Sequence, residues 1–174
     1  MAQTKWPQQE GAVLVLGGTG KVASRVASRL KSANIPSLVA SRSGWAPEGH
    51  RGVKFDWSDK ATWKSSLSVT PAVHAVFIVV QGFVDPSAMV KEFIDLAQEH
   101  RVERFVLLSQ SPVDENGPAF GRIHRYLLEL GNKCNIGWAV LRPTWFQRAL
   151  ITDRNNMDGW LKVLLTYLQK TSPS

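Results

Sequence analysis

A glycine cluster near the start of the chain constrains the fold more than any other feature. Gly17, Gly18 and Gly20 follow an apolar run at residues 12–16 and precede residues 21–33, where apolar side chains recur at helical spacing. A short, wholly apolar run is typical of a parallel strand that is covered on both faces. Strand, glycine turn and helix in direct succession are typical of the first unit of a dinucleotide-binding sheet. We therefore expect an α/β fold.

The alternation of strands and helices continues to about residue 141. The apolar runs and their stop signals predict strands at residues 12–16, 37–40, 52–55, 75–80, 104–109 and 138–141. They predict helices at residues 21–33 and 57–67, from Asp85 and Pro86 onward, and at 119–130 with Gly131 as the stop. Such alternation predicts a doubly wound, Rossmann-like parallel sheet of six strands, whose ligands bind beyond the carboxyl ends of the strands.

Composition limits the partners and the compartment. The chain has 21 Lys and Arg against 14 Asp and Glu, a net charge of +7, which attracts any polyanion. The basic residues are scattered, so nucleic-acid binding is not expected. Cys134 is the only cysteine, so neither a disulfide nor a cysteine metal cluster is predicted, and we expect no metal. With polar residues at its start and no apolar stretch of about 20 residues, the chain is predicted to be cytoplasmic, without a membrane partner.

Two registers fit the glycine cluster, G-x-G-x-x-A from Gly18 and G-x-x-G-x-x-A from Gly17. In either, we expect Gly18 and Gly20 to admit a diphosphate, while the helix N-terminus supplies N–H donors and positive potential. A glycine motif alone also fits a simple tight turn, but its place between strand and helix favours binding. The predicted phosphate loop comprises Gly17, Gly18, Thr19, Gly20, Lys21 and Val22.

The residues after the second strand favour NADP(H) over NAD(H). An NAD-selective site has an acidic residue there, whereas this chain has Ser41, Arg42 and Ser43. Arg42 can bind a 2′-phosphate, with Ser41 or Ser43 as a further donor; the alternative is an exposed surface arginine. Asp56 follows the third strand and can accept from the adenine amino group, although aspartate is equally common as a turn or helix starter.

Polar residues also follow the fourth and fifth strands, beside the expected nicotinamide half of the crevice. Val80 and Gln81 are predicted to contact the cofactor there, and Ser109 and His124 are the candidate catalytic residues. A histidine on a helix is also commonly a packing or surface residue. Short-chain dehydrogenases use a Tyr-x-x-x-Lys helix to protonate a carbonyl, and the corresponding helix here, from Phe120 to His124, lacks that motif. An iminium becomes a neutral amine on receiving hydride and needs no such acid.

Several segments together resemble the festuclavine and agroclavine dehydrogenases, which are NmrA-like, atypical short-chain dehydrogenases of fungal ergot alkaloid biosynthesis. They are V-L-G-G-T-G-K, L-V-A-S-R-S, F-D-W, R-F-V-L-L-S, G-R-I-H and V-L-R-P-T-W-F. The resemblance implies an NADPH-dependent reduction of an iminium intermediate, with an alkaloid as the small-molecule substrate. The positions that match the motifs are Gly17, Gly18, Gly20, Lys21, Arg42, Asp56, Ser109 and His124.

The resemblance ends near residue 147. Members of the family continue with a further strand and substrate-binding loops that have no counterpart after Phe146 here. We therefore expect a flexible N-terminus at residues 1–11, an NADP(H)-binding domain at 12–147 and an atypical helix and tail at 148–174, with the substrate domain reduced or absent. A truncated or frameshifted gene model and a genuinely short protein fit equally. An NmrA-like redox sensor that binds NADP(H) without hydride transfer, and an inactive remnant, are the alternative functions.

Overall fold

Strands and helices alternate through the described part of the chain, except that the second and third strands follow each other without a helix between them. The computed structural model describes residues 11–110, 113, 115–134 and 136–142. In chain order the elements are β1 (Ala12–Val15), α1 (Lys21–Ser32), β2 (Ser37–Ser41), β3 (Arg51–Lys54), α2 (Lys60–Leu67), β4 (Val73–Ile78), α3 (Ser87–Glu99), β5 (Arg104–Leu108), α4 (Phe120–Cys134) and β6 (Gly137–Leu141).

The strands form one six-stranded parallel sheet in the order β3-β2-β1-β4-β5-β6. The order reverses between β1 and β4. The strands β2 and β3 are added on one side of β1, and β4, β5 and β6 are added on the other side. In sheets of this type a crevice lies at this point beyond the carboxyl ends of the strands, and ligands bind there. The predicted doubly wound, Rossmann-like fold is confirmed.

Helices cover both faces of the sheet. On one face α1 packs through Ala23, Val26 and Leu30, and on the other face α2, α3 and α4 pack through residues such as Trp63 and Phe93. Burial of each large apolar side chain stabilises the fold by about 1.5–3 kcal/mol. Because β1 is covered on both sides, its sequence is continuously apolar instead of alternating.

The predicted end of α4 at Gly131 is wrong. The helix continues to Cys134. A Cβ atom on Gly131 would stand 2.4 Å from Nε1 of Trp138, closer than real Cβ contacts. The glycine therefore makes room for an indole of β6 and does not terminate the helix.

Two further boundaries shift for local reasons. Helix α2 begins at Lys60 and not at residue 57, because the side chain of Asp59 accepts from the N–H of Ala61 and caps the helix there. Strand β4 begins and ends two residues before the expected 75–80, since its pairing with β5 stops at Ile78. Residues 79 and 80 consequently belong to the loop at the carboxyl edge of the sheet.

Candidate cofactor site

The glycine turn after β1 presents a helix N-terminus at the carboxyl edge of the sheet. Gly17 has a φ angle of +62°, a left-handed conformation that suits glycine. The N–H of Gly20 donates to the carbonyl of Gly17 at 2.8 Å and closes the turn. No side chain caps α1, and its first turn has no acidic residue. The first N–H groups of α1 and the positive end of its dipole are therefore available to an anion.

Gly18 serves the packing of the protein itself. A Cβ atom on Gly18 would stand 2.4 Å from Cγ1 of Val39. Its N–H donates to the carbonyl of Ala40 in β2 at 3.0 Å, so this donor is already engaged. The close neighbour of Gly18 is thus β2, and the contact with a diphosphate that we expect of Gly18 stays a prediction.

Gly20 is exposed at the turn. Among the described residues outside its chain neighbours, the atom within 4 Å of a Cβ placed there is the carbonyl oxygen of Gly17, at 3.1 Å. With Ala23 buried against the sheet, the spacing Gly17, Gly20, Ala23 supports the G-x-x-G-x-x-A register over the alternative. Of the other predicted loop residues, Thr19 and Lys21 are exposed and Val22 is partly buried against the α1 face of the core.

The residues after β2 present an arginine and a serine to solvent. Ser41 is buried, and its hydroxyl donates to the carbonyl of Trp45 at 2.7 Å. The hydroxyl proton of Ser41 is engaged by this bond, and the phosphate contact expected of Ser41 stays a prediction. Arg42 is exposed, and its guanidinium forms no ion pair with the residues that the structure describes. The Ser43 hydroxyl accepts from the N–H of Trp45 at 3.3 Å, so its own proton remains available beside Arg42.

Asp56 lies just after β3, and α2 holds its backbone. Its N–H donates to Oγ1 of Thr62 at 2.9 Å, and its carbonyl accepts from the indole of Trp63 at 2.8 Å. Its Oδ1 accepts from the N–H of Ser58 at 2.9 Å, which is the turn-starting role that the sequence left open. A carboxylate has two acceptor oxygens, so the second oxygen can accept from the adenine amino group. That contact stays a prediction.

The loop after β4 forms the other wall of the crevice. Val80 is buried at its start, and Gln81 is exposed. At its far end Asp85 accepts from the N–H of Ser87 at 2.9 Å and from the guanidinium of Arg122 at 2.6 Å. The hydrogen bonds from Ser87, with a smaller contribution from Arg122, hold the pKa of Asp85 below its usual value. The loop is thus anchored to both α3 and α4.

The two predicted catalytic residues have different surroundings. Ser109 directly follows β5, is buried, and donates its N–H to the carbonyl of Leu141 at 2.8 Å. Because β4 and β5 are neighbours, Ser109 and Gln81 follow adjacent strands at the same edge. His124 lies on α4 with its ring centroid 5.5 Å from that of Trp138, and its Nδ1 atom is buried. The structure therefore favours the packing role for His124 that the sequence left open.

Tyr126 is a tyrosine of α4, but it contacts α3. Its hydroxyl forms a hydrogen bond with the carboxylate of Asp95, and Nζ of Lys91 lies 5.2 Å from its ring centroid. Burial and the hydrogen bond to Asp95 raise the pKa of Tyr126 above its usual value. The residue four positions later is Leu130, so no Tyr-x-x-x-Lys pair is formed. Tyr126 thus supports the contact between two helices and is a poor proton donor.

Two contacts at this edge were missed by sequence reasoning. The indole of Trp57 donates to the carbonyl of Val79 at 3.2 Å, and Arg122 binds Asp85. The partners are 22 and 37 residues apart in the chain. No local pattern links residues at such separations, so neither contact has a sequence signal.

A family model described as NAD(P)H-binding matches residues 17–158. The chain belongs to the NAD(P)H-binding family. The match begins at the first glycine of the turn and includes every predicted cofactor residue. In the part of this NAD(P)H-binding chain that the structure describes, no group of His, Cys, Asp and Glu could hold a metal ion. The helices described there are too short or too polar to span a bilayer.

The chain is similar to fungal clavine alkaloid enzymes. It is 38% identical to agroclavine dehydrogenase of Claviceps purpurea over 143 residues, which are 80% of this chain and 48% of that enzyme. It is 35% identical to festuclavine synthase II of Penicillium roqueforti over 155 residues, which are 86% of this chain and 52% of that protein. The resemblance seen in the motifs is confirmed, and the chain spans about half the length of these relatives.

Solved structures share the fold at lower identity. A short-chain dehydrogenase/reductase superfamily protein from Agrobacterium tumefaciens with bound NAD has a TM-score of 0.59 and 18% identity, over 75% of this chain and 48% of that chain. The triphenylmethane reductase of Citrobacter sp., complexed with NADP(H), has a TM-score of 0.58 and 16% identity, over 78% of this chain and 50% of that chain. At such identities the likeness shows the fold alone.

Proposed function

We propose that the chain binds NADPH across the crevice between β1 and β4 and reduces an iminium carbon of a clavine-type alkaloid. The observation that carries this proposal is the uncapped N-terminus of α1 together with an exposed Arg42 after β2. Residues 41–47 contain no carboxylate that would favour NAD(H). The similarity to agroclavine dehydrogenase and festuclavine synthase supports the alkaloid substrate.

The residues of the crevice fit a dinucleotide with a 2′-phosphate. Gly20 is exposed and has no side chain beside the uncapped N–H groups that begin α1, where the diphosphate would bind. Arg42 and Ser43 would hold the 2′-phosphate through charge-assisted hydrogen bonds, each contributing about 1.5–3 kcal/mol. The second carboxylate oxygen of Asp56 would accept from the adenine amino group. Val80 and Gln81 would line the side toward the nicotinamide.

The side chains available at the nicotinamide end suit an iminium better than a carbonyl. Bound NADPH supplies the hydride. The substrate carbon bears positive charge before transfer and belongs to a neutral amine afterwards, so no proton donor is needed in that step. This agrees with the engagement of the Tyr126 hydroxyl by Asp95. Ser109 is proposed to orient the substrate or the cofactor by hydrogen bonding, and His124 is left to packing.

The same observation supports a second candidate, a redox sensor that binds NADP(H) and transfers no hydride. With Tyr126 engaged by Asp95 of α3, the described part of α4 has no tyrosine hydroxyl available to protonate a carbonyl. The sensor would retain the cofactor contacts of Gly20 and Arg42 and would report the bound state to a protein partner.

Turnover separates the two candidates. Purified protein is mixed with NADPH and an agroclavine-type iminium, and the loss of reduced cofactor is followed by absorbance. The enzyme consumes NADPH with the iminium and leaves a ketone of similar ring structure untouched. NADPH binding without any consumption would support the sensor instead. Absence of NADPH binding would contradict both.

A further inference from the structure

The F-D-W segment after β3 contains a tryptophan to which the proposed function gives no role. Trp57 is half-buried, and its ring meets three other aromatic rings edge to face, at centroid distances of 4.9 Å to Phe55, 5.4 Å to Phe93 and 5.9 Å to Trp63. Edge-to-face packing of this kind fixes the orientation of a ring. The indole N–H of Trp57 is therefore held in one direction.

That N–H points across the carboxyl edge of the sheet. It donates to the carbonyl of Val79 at 3.2 Å, although β3 and β4 are separated in the sheet by β2 and β1. Val79 is the first residue after β4 and is buried. The bond thus joins the loop that starts α2 to the loop that forms the opposite wall of the crevice.

Val79 in turn lies beside the first glycine of the phosphate loop. A Cβ atom on Gly17 would stand 3.4 Å from both Cβ and Cγ1 of Val79, which is ordinary van der Waals contact. The carbonyl of Val79 is held by Trp57, while its side chain lies next to Gly17 in the turn that precedes α1. Asp56, the proposed adenine acceptor, is the immediate neighbour of Trp57.

We propose that Trp57 is a positioning residue that sets the spacing between the adenine side of the site, at Asp56, and the diphosphate side, at Gly17 and Gly20. This inference rests on the proposed cofactor site. A ligand that spans both sides depends on this spacing, whereas a ligand that occupies only one side does not. Preorganisation of this kind improves binding because less ordering is left to the ligand.

The test compares a spanning ligand with a fragment in the variant Trp57→Phe, which keeps an aromatic ring and removes the N–H. The dissociation constant of NADPH is measured by calorimetry, and that of adenosine 2′-monophosphate, which has no diphosphate, by NMR titration. We expect the Kd for NADPH to rise about fivefold or more, as for loss of one partner of a buried hydrogen bond, and the Kd for the fragment to change less than about twofold.

Trp63→Phe is the matched control. This variant removes an indole N–H from the same aromatic cluster. The acceptor of that N–H is the carbonyl of Asp56, which lies within the β3–α2 segment and not across the sheet edge. We expect it to lower the melting temperature while the ratio of the two dissociation constants stays at the wild-type value. If Trp57→Phe does not fold, 3-benzothienylalanine at position 57 retains the ring shape and removes only the N–H.

These measurements distinguish failure of the positioning role of Trp57 from failure of the proposed function. Equal loss of affinity for NADPH and for the fragment, or no loss for either, would overturn the positioning role. A ratio altered as much by Trp63→Phe as by Trp57→Phe would overturn it too. If the wild-type protein fails to bind NADPH at all, the proposed function fails first.

Discussion

At the scale of single residues, Arg42 stands where sheets of this type choose between the two nicotinamide dinucleotides. We predict that Arg42→Asp lowers the preference for NADPH over NADH by about tenfold to a hundredfold, the equivalent of one lost charge-assisted hydrogen bond. The measurement is the ratio of the two dissociation constants by calorimetry. Lys133→Glu, which makes the same change of net charge in the last turn of α4, should leave that ratio unchanged. A preference untouched by Arg42→Asp would contradict the role.

Gly18 and Gly20 give a second prediction, because their missing side chains have different neighbours. In Gly18→Ala the new Cβ meets Val39, so we expect the free energy of unfolding to fall by about 1–3 kcal/mol. In Gly20→Ala it stands 3.1 Å from the carbonyl oxygen of Gly17, so we expect a smaller loss of stability than in Gly18→Ala, while the Kd for NADPH rises by about tenfold or more.

Thermal melts and titrations of both variants check this difference. Val39→Ala in the Gly18→Ala background should recover part of the lost stability, since it removes the colliding methyl group. If Gly20→Ala destabilised the protein as much as Gly18→Ala and bound NADPH normally, the assignment of the register would be wrong.

At the scale of elements, the free energy of unfolding depends on pH through Asp85, which lies just before α3. Hydrogen bonds from Ser87, assisted by Arg122, lower the pKa of this carboxyl in the folded state. An unfolded aspartate has a pKa of about 3.9, so the stabilisation is complete above that pH. It is lost as the pH falls through the lower folded value.

We therefore predict that Asp85→Asn lowers the melting temperature at about pH 7 and that the difference from wild type shrinks as the pH falls below about 4. Ser87→Ala should reproduce part of the loss, because it removes the hydroxyl donor and keeps the backbone N–H. If the melting temperatures of Asp85→Asn and wild type differed by the same amount at about pH 7 and at about pH 3, the proposed link between stability and the ionisation of Asp85 would be contradicted.

The elements themselves could be predicted from the sequence because each has a local pattern. The apolar run of β1, the stripe of Val26 and Leu30 on α1, and the glycine turn between them all act over a few residues. Gly131 was misread because the reason for that glycine, the indole of Trp138, lies on another element. In a single sequence, a glycine that ends a helix cannot be distinguished from a glycine that makes room for a neighbouring side chain.

The candidate site was predictable to the same extent. Gly17, Gly20 and Arg42 could be placed at the carboxyl edge of the sheet because the strand–turn–helix order fixes their positions, and their contacts with the cofactor stay predictions. The hydrogen bond from the Ser41 hydroxyl to the carbonyl of Trp45 could not be predicted, because the loop between these residues has no pattern in the sequence. The contact from Trp57 to Val79 depends on the sheet order, which only the assembled fold supplies.

At the scale of the whole molecule, the sheet order brings separate segments to one edge. The reversal between β1 and β4 places the phosphate loop beside the loop after β4. The two outer strands on one side, β2 and β3, carry the groups proposed for the adenosine half. The two on the other side, β5 and β6, hold Ser109 in place through the carbonyl of Leu141. The proposed site is therefore a property of the sheet and of no single motif.

Calorimetric titration of the purified chain with NADPH, and separately with NADH, tests the central claim most directly. We predict saturable binding of NADPH at a single site, with NADH binding more weakly by about tenfold or more because Arg42 has no phosphate to hold. Binding of NADH as tight as that of NADPH would contradict the selectivity. Absence of any binding heat or thermal stabilisation with NADPH would contradict the whole account.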